Sequence, residues 1–188
     1  HRLATQGMFY FLSRPRRFGK SLLASTLKCL FEGKKDLFDG LWIAEHGQWE
    51  WQQHPAILLD FNGIPASTTE ELKRSLTVAL ETLAEDAEIV LKAEIPELQF
   101  KELIRKLYKE MKMPVAVLID EYDKPLIDHL GKGETARSIA KANRDVLKSF
   151  FGILKDATIA PFLRFVFLTG VSRFSRVSIF SELNNLQD

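Results

Sequence analysis

The sequence predicts an α/β fold in which a central, mostly parallel β-sheet is covered by helices on both faces. Short apolar runs alternate with longer segments of helical periodicity along most of the chain, which is the pattern of successive strand–helix units. Some of these apolar runs end in an acid or a hydroxyl residue, as buried strands do where they emerge at the carboxyl edge of a parallel sheet. With 188 residues, 46% of them hydrophobic, the chain can bury a sizeable core and is most simply one domain spanning residues 1–188.

The first predicted strand covers residues 8–12 and leads into a basic turn that ends in Gly19-Lys20-Ser21. A strand, a tight turn and a helix in this order bind a polyphosphate, because the first amides of the helix, the positive end of its dipole and a lysine converge on the anion. Gly19 then allows close backbone approach, Lys20 places charge on the outer phosphates and Ser21 offers a hydroxyl to Mg²⁺. The usual pattern has an earlier glycine where this chain has Arg14, and the alternative is a basic turn that caps a buried helix.

The helix after this turn is predicted over residues 19–31. Five side chains at helical spacing are expected to share one face, and they are Leu22, Leu23, Thr26, Leu27 and Leu30. Cys29, the single cysteine, lies in the same helix and has no partner for an internal disulfide, so a reducing cytoplasm is the expected location. A second strand is predicted over residues 55–61.

A long helix is predicted to begin at residue 68, with an apolar stripe that reaches Val90. Thr69 or Ser67 is the expected cap, because a hydroxyl at this position accepts a hydrogen bond from a free amide of the first turn. Pro96 separates this helix from another predicted over residues 97–111. Both helices have the length and periodicity of elements that cover a sheet.

The third strand is predicted over residues 114–120, a continuous apolar run that ends in Asp120 and is followed by Glu121. An aspartate at such a strand tip can hold Mg²⁺, and a glutamate directly after it can orient and deprotonate the attacking water. The alternative is that the two acids only end the strand and cap the next helix. The basic turn and the acidic strand tip together support a nucleotide site better than either does alone, because each motif predicts where the other should lie.

A helix over residues 135–156 and a final strand over 163–169 complete the pattern. If this strand lies between the first strand and the acidic strand, Thr169 at its tip would face the outer phosphate and serve as a sensor, with Ser172 as the second choice. Arg173 is a candidate arginine finger, in its own molecule or in a neighbour; its alternative is a solvated loop residue. The chain begins at His1 and ends at Asp188 as another helix starts, so we expect it to be truncated at both ends.

With these residues in place, the chain resembles the bacterial and archaeal family of predicted AAA-ATPase-like proteins. Residues 10–22, 118–125 and 168–175 carry the resemblance. It implies a three-layer P-loop NTPase of the additional-strand class, with sheet order 5-1-4-3-2 and the fifth strand missing from this segment. An arginine at the place of Arg14 is a trait of that family, whose members often continue into a nuclease-like domain of the PD-(D/E)xK type.

The resemblance also implies roles for individual residues. The residues that would act in catalysis are Glu121, Lys20, Thr169 and Arg173. Mg²⁺ would be held by Ser21 and Asp120. The nucleotide would be bound by the end of the basic turn and the start of its helix, namely Arg16, Arg17, Phe18, Gly19, Lys20, Ser21 and Leu22.

Three functions follow from these observations. The first is an ATPase that couples Mg²⁺-dependent hydrolysis to a conformational change in a C-terminal nuclease-like domain or a partner protein. The second is a nucleotide-dependent switch or scaffold with little hydrolysis of its own. The third is a nucleic-acid-binding module, against which the net charge of +1 argues; its basic side chains would be Arg14, Arg16, Arg17, Arg173 and Arg176.

Composition and motifs restrict the partners further. No apolar run reaches the length of a membrane span, so no membrane partner is expected. The chain has no Asn/Thr-Lys-x-Asp motif of the guanine-reading kind, which favours ATP over GTP. An oligomer is compatible with the sequence, particularly if Arg173 acts in a neighbouring molecule.

Overall fold

The computed structural model describes residues 2–5, 7–47 and 49–171. Within them, four strands form one sheet in which every pair of neighbours is parallel. The strands are β1 (Phe9–Ser13), β2 (Ala56–Asp60), β3 (Val115–Asp120) and β4 (Leu163–Gly170). The α/β class and the four predicted strands are therefore confirmed, each to within a residue.

The order across the sheet is β1-β4-β3-β2. The last strand in the sequence thus lies between the strand that precedes the basic turn and the strand that ends in acids. The fifth strand of the implied order falls outside the described residues. Register places the carboxyl ends of the strands at one edge, since Ser13 is opposite Gly170 and Asp60 is opposite Asp120.

Seven α-helices are described in the same part of the chain. The two that flank the first strand are α1 (Arg2–Thr5) and α2 (Lys20–Phe31), and α3 (Trp42–Glu45) is a single turn in the connection to β2. Two long helices, α4 (Thr69–Asp86) and α5 (Pro96–Met111), precede β3, while α6 (Lys124–Ile127) and α7 (Glu134–Gly152) follow it. Short 3₁₀ turns cover Lys35–Phe38, Phe61–Gly63, Ile153–Lys155 and Ala160–Phe162.

The core has two halves, one on each face of the sheet. Because side chains alternate along a strand, Val117 and Ile119 of β3 join the cluster that contains α4, α5 and α7, whereas Ala116 and Leu118 join the cluster that contains α2. All six residues of β3 are buried, as a strand covered on both faces requires. The arrangement is a helix–sheet–helix sandwich, and none of the described helices has the length and apolar character of a membrane span.

The predicted apolar face of α2 is wrong in part. Leu22 is 72% exposed and Thr26 is also exposed. Ala24 and Phe31 are buried against the sheet instead, and at 3.6 residues per turn Leu22 lies about 200° around the axis from Ala24. A sequence with leucine on several sides of a helix does not by itself decide which side faces the core.

Three details of the later helices also differ from the prediction. The N-cap of α4 is Thr68, whose hydroxyl accepts a hydrogen bond of 3.1 Å from the amide of Glu71. The helix ends at Asp86, because Glu88 has a left-handed backbone (φ 56°) and the amide of Ile89 turns back to Ala84 O at 2.7 Å. Val90 therefore lies outside the helix and is 77% exposed, while α7 ends at Gly152 and continues only as a 3₁₀ turn.

Candidate functional site

The turn between β1 and α2 is exposed from Arg14 to Gly19. Gly19 is the N-cap of α2 with φ 74°, a left-handed conformation that favours glycine, and Arg17 has φ 68°, which is uncommon for a residue with a Cβ. Gly19 has no side chain to occupy the amides of the first turn, and that turn contains no acid. The free amides and the positive helix end therefore face the turn, as in an anion site.

Lys20 points back from the helix into the molecule and is only 4% exposed. Its Nζ donates to the carbonyl oxygen of Pro15 at 3.2 Å and lies 3.1 Å from Oε1 of Glu121. The lysine thus connects the turn to the end of β3, although the two segments are far apart in the sequence. The structure brings together the basic turn and the acidic strand tip on which the sequence-based hypothesis depends.

Thr169 of the neighbouring strand is hydrogen-bonded to both acids at the end of β3, namely the last strand residue Asp120 and the next residue Glu121. Asp120 is 2% exposed and accepts a hydrogen bond from Oγ1 of Thr169. The amide of Glu121 donates to the same Oγ1 at 3.2 Å. Glu121 has φ 53°, a left-handed conformation that directs the chain away from the strand and is uncommon outside glycine.

The end of β4 is bonded on both sides. The amide of Arg14 donates to Gly170 O at 3.3 Å, and the hydroxyl of Ser13 donates to Val171 O at 3.1 Å. On the other side, the amide of Val171 donates to Oδ2 of Asp123 at 3.1 Å. The first residues of the basic turn and the segment after β3 therefore share one anchor at the end of β4.

Gly170 is required at this anchor for space. A Cβ at this position would lie 2.4 Å from Cε1 of the buried Tyr122 and 2.9 Å from Oδ1 of Asp123. Asp123 is fully buried, yet the sequence analysis assigned it no role. Its signal was the run Asp120-Glu121-Tyr122-Asp123, in which a third acid follows the strand tip within one turn.

The other predicted site residues are distributed around the turn. Arg16, Arg17 and Ser21 are exposed, and Phe18 and Leu22 are 67% and 72% exposed. Within the part of the chain that the structure describes, no side-chain contact assigns a role to these five residues. Ser172 and Arg173 lie outside the described residues.

The donors available for a metal are few. The part of the chain that the structure describes contains no group of three or more His, Cys, Asp or Glu side chains able to hold a metal ion. A hydroxyl and one carboxylate, from Ser21 and Asp120, do not form a closed transition-metal site. A hydroxyl and a carboxylate oxygen are donor types that suit Mg²⁺, which keeps several waters and is commonly bound through one or two carboxylates and substrate phosphates.

The open shape of the turn suits an anion that stays partly in water. A concavity of about 600 Å³ lies between the end of β2 and α4, and its lining includes Leu59, Ile64 and Val78. No residue of 13–22 or 120–123 contributes to that lining. This mainly apolar concavity is therefore separate from the basic turn and the acidic strand tip.

Two comparisons with known proteins found matches. The family model described as "Predicted AAA-ATPase" matches residues 1–180. An uncharacterized protein from the vnfD 5′ region of Azotobacter chroococcum mcd 1 is 41% identical over 187 residues, which cover 99% of this chain and 35% of that protein. The chain thus spans about a third of the length of this curated relative. No solved structure matches the chain. By its sequence over residues 1–180, the chain belongs to the predicted AAA-ATPase family.

Proposed function

We propose that this chain binds ATP with Mg²⁺ and hydrolyses it at the edge of the sheet where β1, β3 and β4 end. The observation that carries the proposal is the buried contact between Lys20 and Glu121, which joins an anion-binding turn to a pair of acids. Membership of a predicted ATPase family supports nucleotide binding and hydrolysis as the general activity. The turn supplies the site for phosphate, and the acids supply the groups for a metal and a base.

Each residue has a distinct task in this proposal. The amides at the start of α2 and the ammonium of Lys20 bind the phosphates. Ser21 and Asp120 hold Mg²⁺, which when bound neutralises charge on the phosphates. Phosphate oxygens replace Glu121 as the partner of Lys20, and the carboxylate of Glu121 is then able to orient the attacking water and accept its proton.

The finer architecture belongs to the same proposal. The described order β1-β4-β3-β2 is compatible with the additional-strand class, in which a fifth strand would lie beside β1. Because the chain covers 35% of its relative, we propose that hydrolysis is coupled to a further domain or a partner protein. A nuclease-like domain after residue 188 is the candidate that the family resemblance suggests.

Two substitutions test the proposal. Lys20→Ala removes the buried cation and is expected to abolish binding of Mg-ATP. Glu121→Gln keeps the shape of the side chain, so binding is expected to persist while turnover falls by about 10²–10⁴-fold. Isothermal titration and steady-state phosphate release measure the two effects.

Matched controls are available on the surface of α5, where Lys109 and Glu110 are exposed. Lys109→Ala and Glu110→Gln are expected to bind and turn over ATP as the unchanged chain does. Retained micromolar binding by Lys20→Ala would refute the role of the turn. Unchanged turnover by Glu121→Gln would remove Glu121 from the mechanism.

A nucleotide-dependent switch is a second candidate, and one observation favours it. The carboxylate of Glu121 is paired with Lys20, so the pair has to separate before Glu121 can act as a base. A chain of this kind binds ATP in one-to-one ratio and hydrolyses it slowly until a partner rearranges the site. Comparison of stoichiometric binding with steady-state turnover distinguishes the switch from an independent ATPase.

A further inference from the structure

Thr169 lies at the end of β4, between the basic turn and the acidic strand tip, and none of its surface is exposed. Its hydroxyl donates to Oδ1 of Asp120 and accepts from the amide of Glu121 at 3.2 Å. A threonine hydroxyl has one proton and two lone pairs. The proton is therefore committed to Asp120, and one lone pair is committed to Glu121.

These contacts do not suit the sensor role expected from the sequence. A side chain that senses the outer phosphate must donate a hydrogen bond to an anionic oxygen, because phosphate oxygens are acceptors. Thr169 has no second proton to donate, and its side chain is closed off from solvent. Its position at the strand tip was predicted correctly, but the hydroxyl faces the acids.

We propose that Thr169 is a positioning residue that holds Asp120 and Glu121 in the arrangement needed for hydrolysis; this inference rests on the proposed function. One hydroxyl contacts the side chain of the metal-binding residue and the backbone of the catalytic base. A single group thus fixes the relative placement of the two acids.

The left-handed backbone of Glu121 explains why hydrogen bonds with Thr169 are needed at this residue. Its φ of 53° belongs to a sparsely populated region, which persists only where the surrounding structure holds it. Thr169 supplies bonds on both sides of this residue, since its carbonyl oxygen also accepts from the amide of Tyr122 at 3.0 Å. Loss of the hydroxyl leaves the amide of Glu121 buried without its acceptor, and the carboxylate of the base is then no longer held in one place.

The test uses Thr169→Val, which keeps the shape and removes the hydroxyl, and Thr169→Ser, which keeps the hydroxyl. In Thr169→Val we expect kcat to fall by about 10- to 100-fold. The ratio of ATP to ADP affinity should remain within about twofold of the unchanged chain, because a group that does not touch the phosphate does not discriminate between them. Thr169→Ser should restore most of the turnover, and Thr169→Ala also removes the hydroxyl if the valine variant does not fold.

Hydrogen exchange of the Glu121 amide provides a readout that needs no nucleotide. In the nucleotide-free chain, this amide should exchange at least about tenfold faster in Thr169→Val than in the unchanged chain. Loss of the preference for ATP over ADP with the Glu121 amide still protected would overturn the inference in favour of a sensor. Unchanged kcat in a folded Thr169→Val variant, even one of lower thermal stability, would also overturn it.

Failure of the proposed function gives a different result. If the unchanged chain binds no ATP, the hydrolytic site is refuted whatever Thr169 does. Exchange of the Glu121 amide then still decides whether the hydroxyl holds the acids, because that measurement is made without ligand.

Discussion

Lys20 and Glu121 form an ion pair in which 3% and 12% of the respective side chains remain exposed. An isolated charge at either position would be costly, because a buried ion needs a partner or a ligand. Each is the other's partner, and a bound triphosphate would replace one of them. The pair must therefore separate for the proposed reaction.

A double-mutant cycle measures this pair at the residue scale. Lys20→Met and Glu121→Gln are each expected to destabilise the nucleotide-free chain, and their coupling should be about 1–3 kcal/mol because each single change leaves a buried group without its partner. Urea unfolding gives the free energies.

The exposed pair Lys73–Glu70 on α4, 3.4 Å apart, is the control for this cycle. Its coupling should stay below about 0.5 kcal/mol, since solvent screens it. A Lys20–Glu121 coupling as small as that of the surface pair would mean that the contact adds nothing to the site.

At the scale of elements, the site depends on hydrogen bonds that connect the loops to the ends of the strands. The end of β4 is bonded to Ser13 and Arg14 of the turn and to Asp123 after β3. Away from the site, Glu102 of α5 forms similar hydrogen bonds to the backbone of the segment that precedes its helix. Its carboxylate accepts from the amides of Lys92 and Ala93 at 2.9 and 3.0 Å and lies 2.6 Å from Lys106 Nζ.

The Glu102 contacts predict a pH dependence of stability. Partial burial acts to raise the pKa of Glu102, but the hydrogen bonds from Lys106, Lys92 and Ala93 outweigh it and lower the pKa from 4.5 to about 2. A lowered folded-state pKa means that the stabilisation is fully present above pH 4.5 and is lost as the pH falls from there through about 2. Glu102→Gln should therefore destabilise the chain at pH 7, by an amount that shrinks as the pH falls below 4.5.

Urea unfolding at pH 7, 4.5 and 3 measures this difference, with Glu110→Gln on the exposed side of α5 as the control. The control variant should stay close to the unchanged chain at each pH. A Glu102→Gln effect that is independent of pH over this range would show that the ionised form of Glu102 adds no stability.

At the scale of the whole molecule, the parallel sheet is what assembles the site. The turn before α2 and the acids after β3 are distant in sequence, and they meet because β4 inserts between β1 and β3 with all carboxyl ends at one edge. Burial on both faces fixes β3 and β4 in the centre of the core. The strand order alone thus explains why the basic turn and the acidic strand tip lie close together.

Strands and the basic turn were predictable from the sequence, whereas several side-chain roles were not. Strands such as 114–120 were predictable because continuous apolar runs have few alternatives, and Gly19-Lys20-Ser21 has a known local geometry. Three features could not be predicted: the outward direction of Leu22, the hydrogen bonds of the Thr169 hydroxyl to the two acids, and the hydrogen bond from the Val171 amide to Asp123. Each depends on which residues the sheet brings close together. Local pattern predicts elements, whereas these side-chain roles are decided by tertiary contacts.

A structure of the chain with Mg²⁺ and a non-hydrolysable ATP analogue is the sharpest test of the proposed site. We expect the outer phosphates to lie against Lys20 Nζ and the first amides of α2, with the cation between Ser21 and Asp120 and with Glu121 released from the lysine. An analogue bound elsewhere, with the Lys20–Glu121 pair intact, would refute the site.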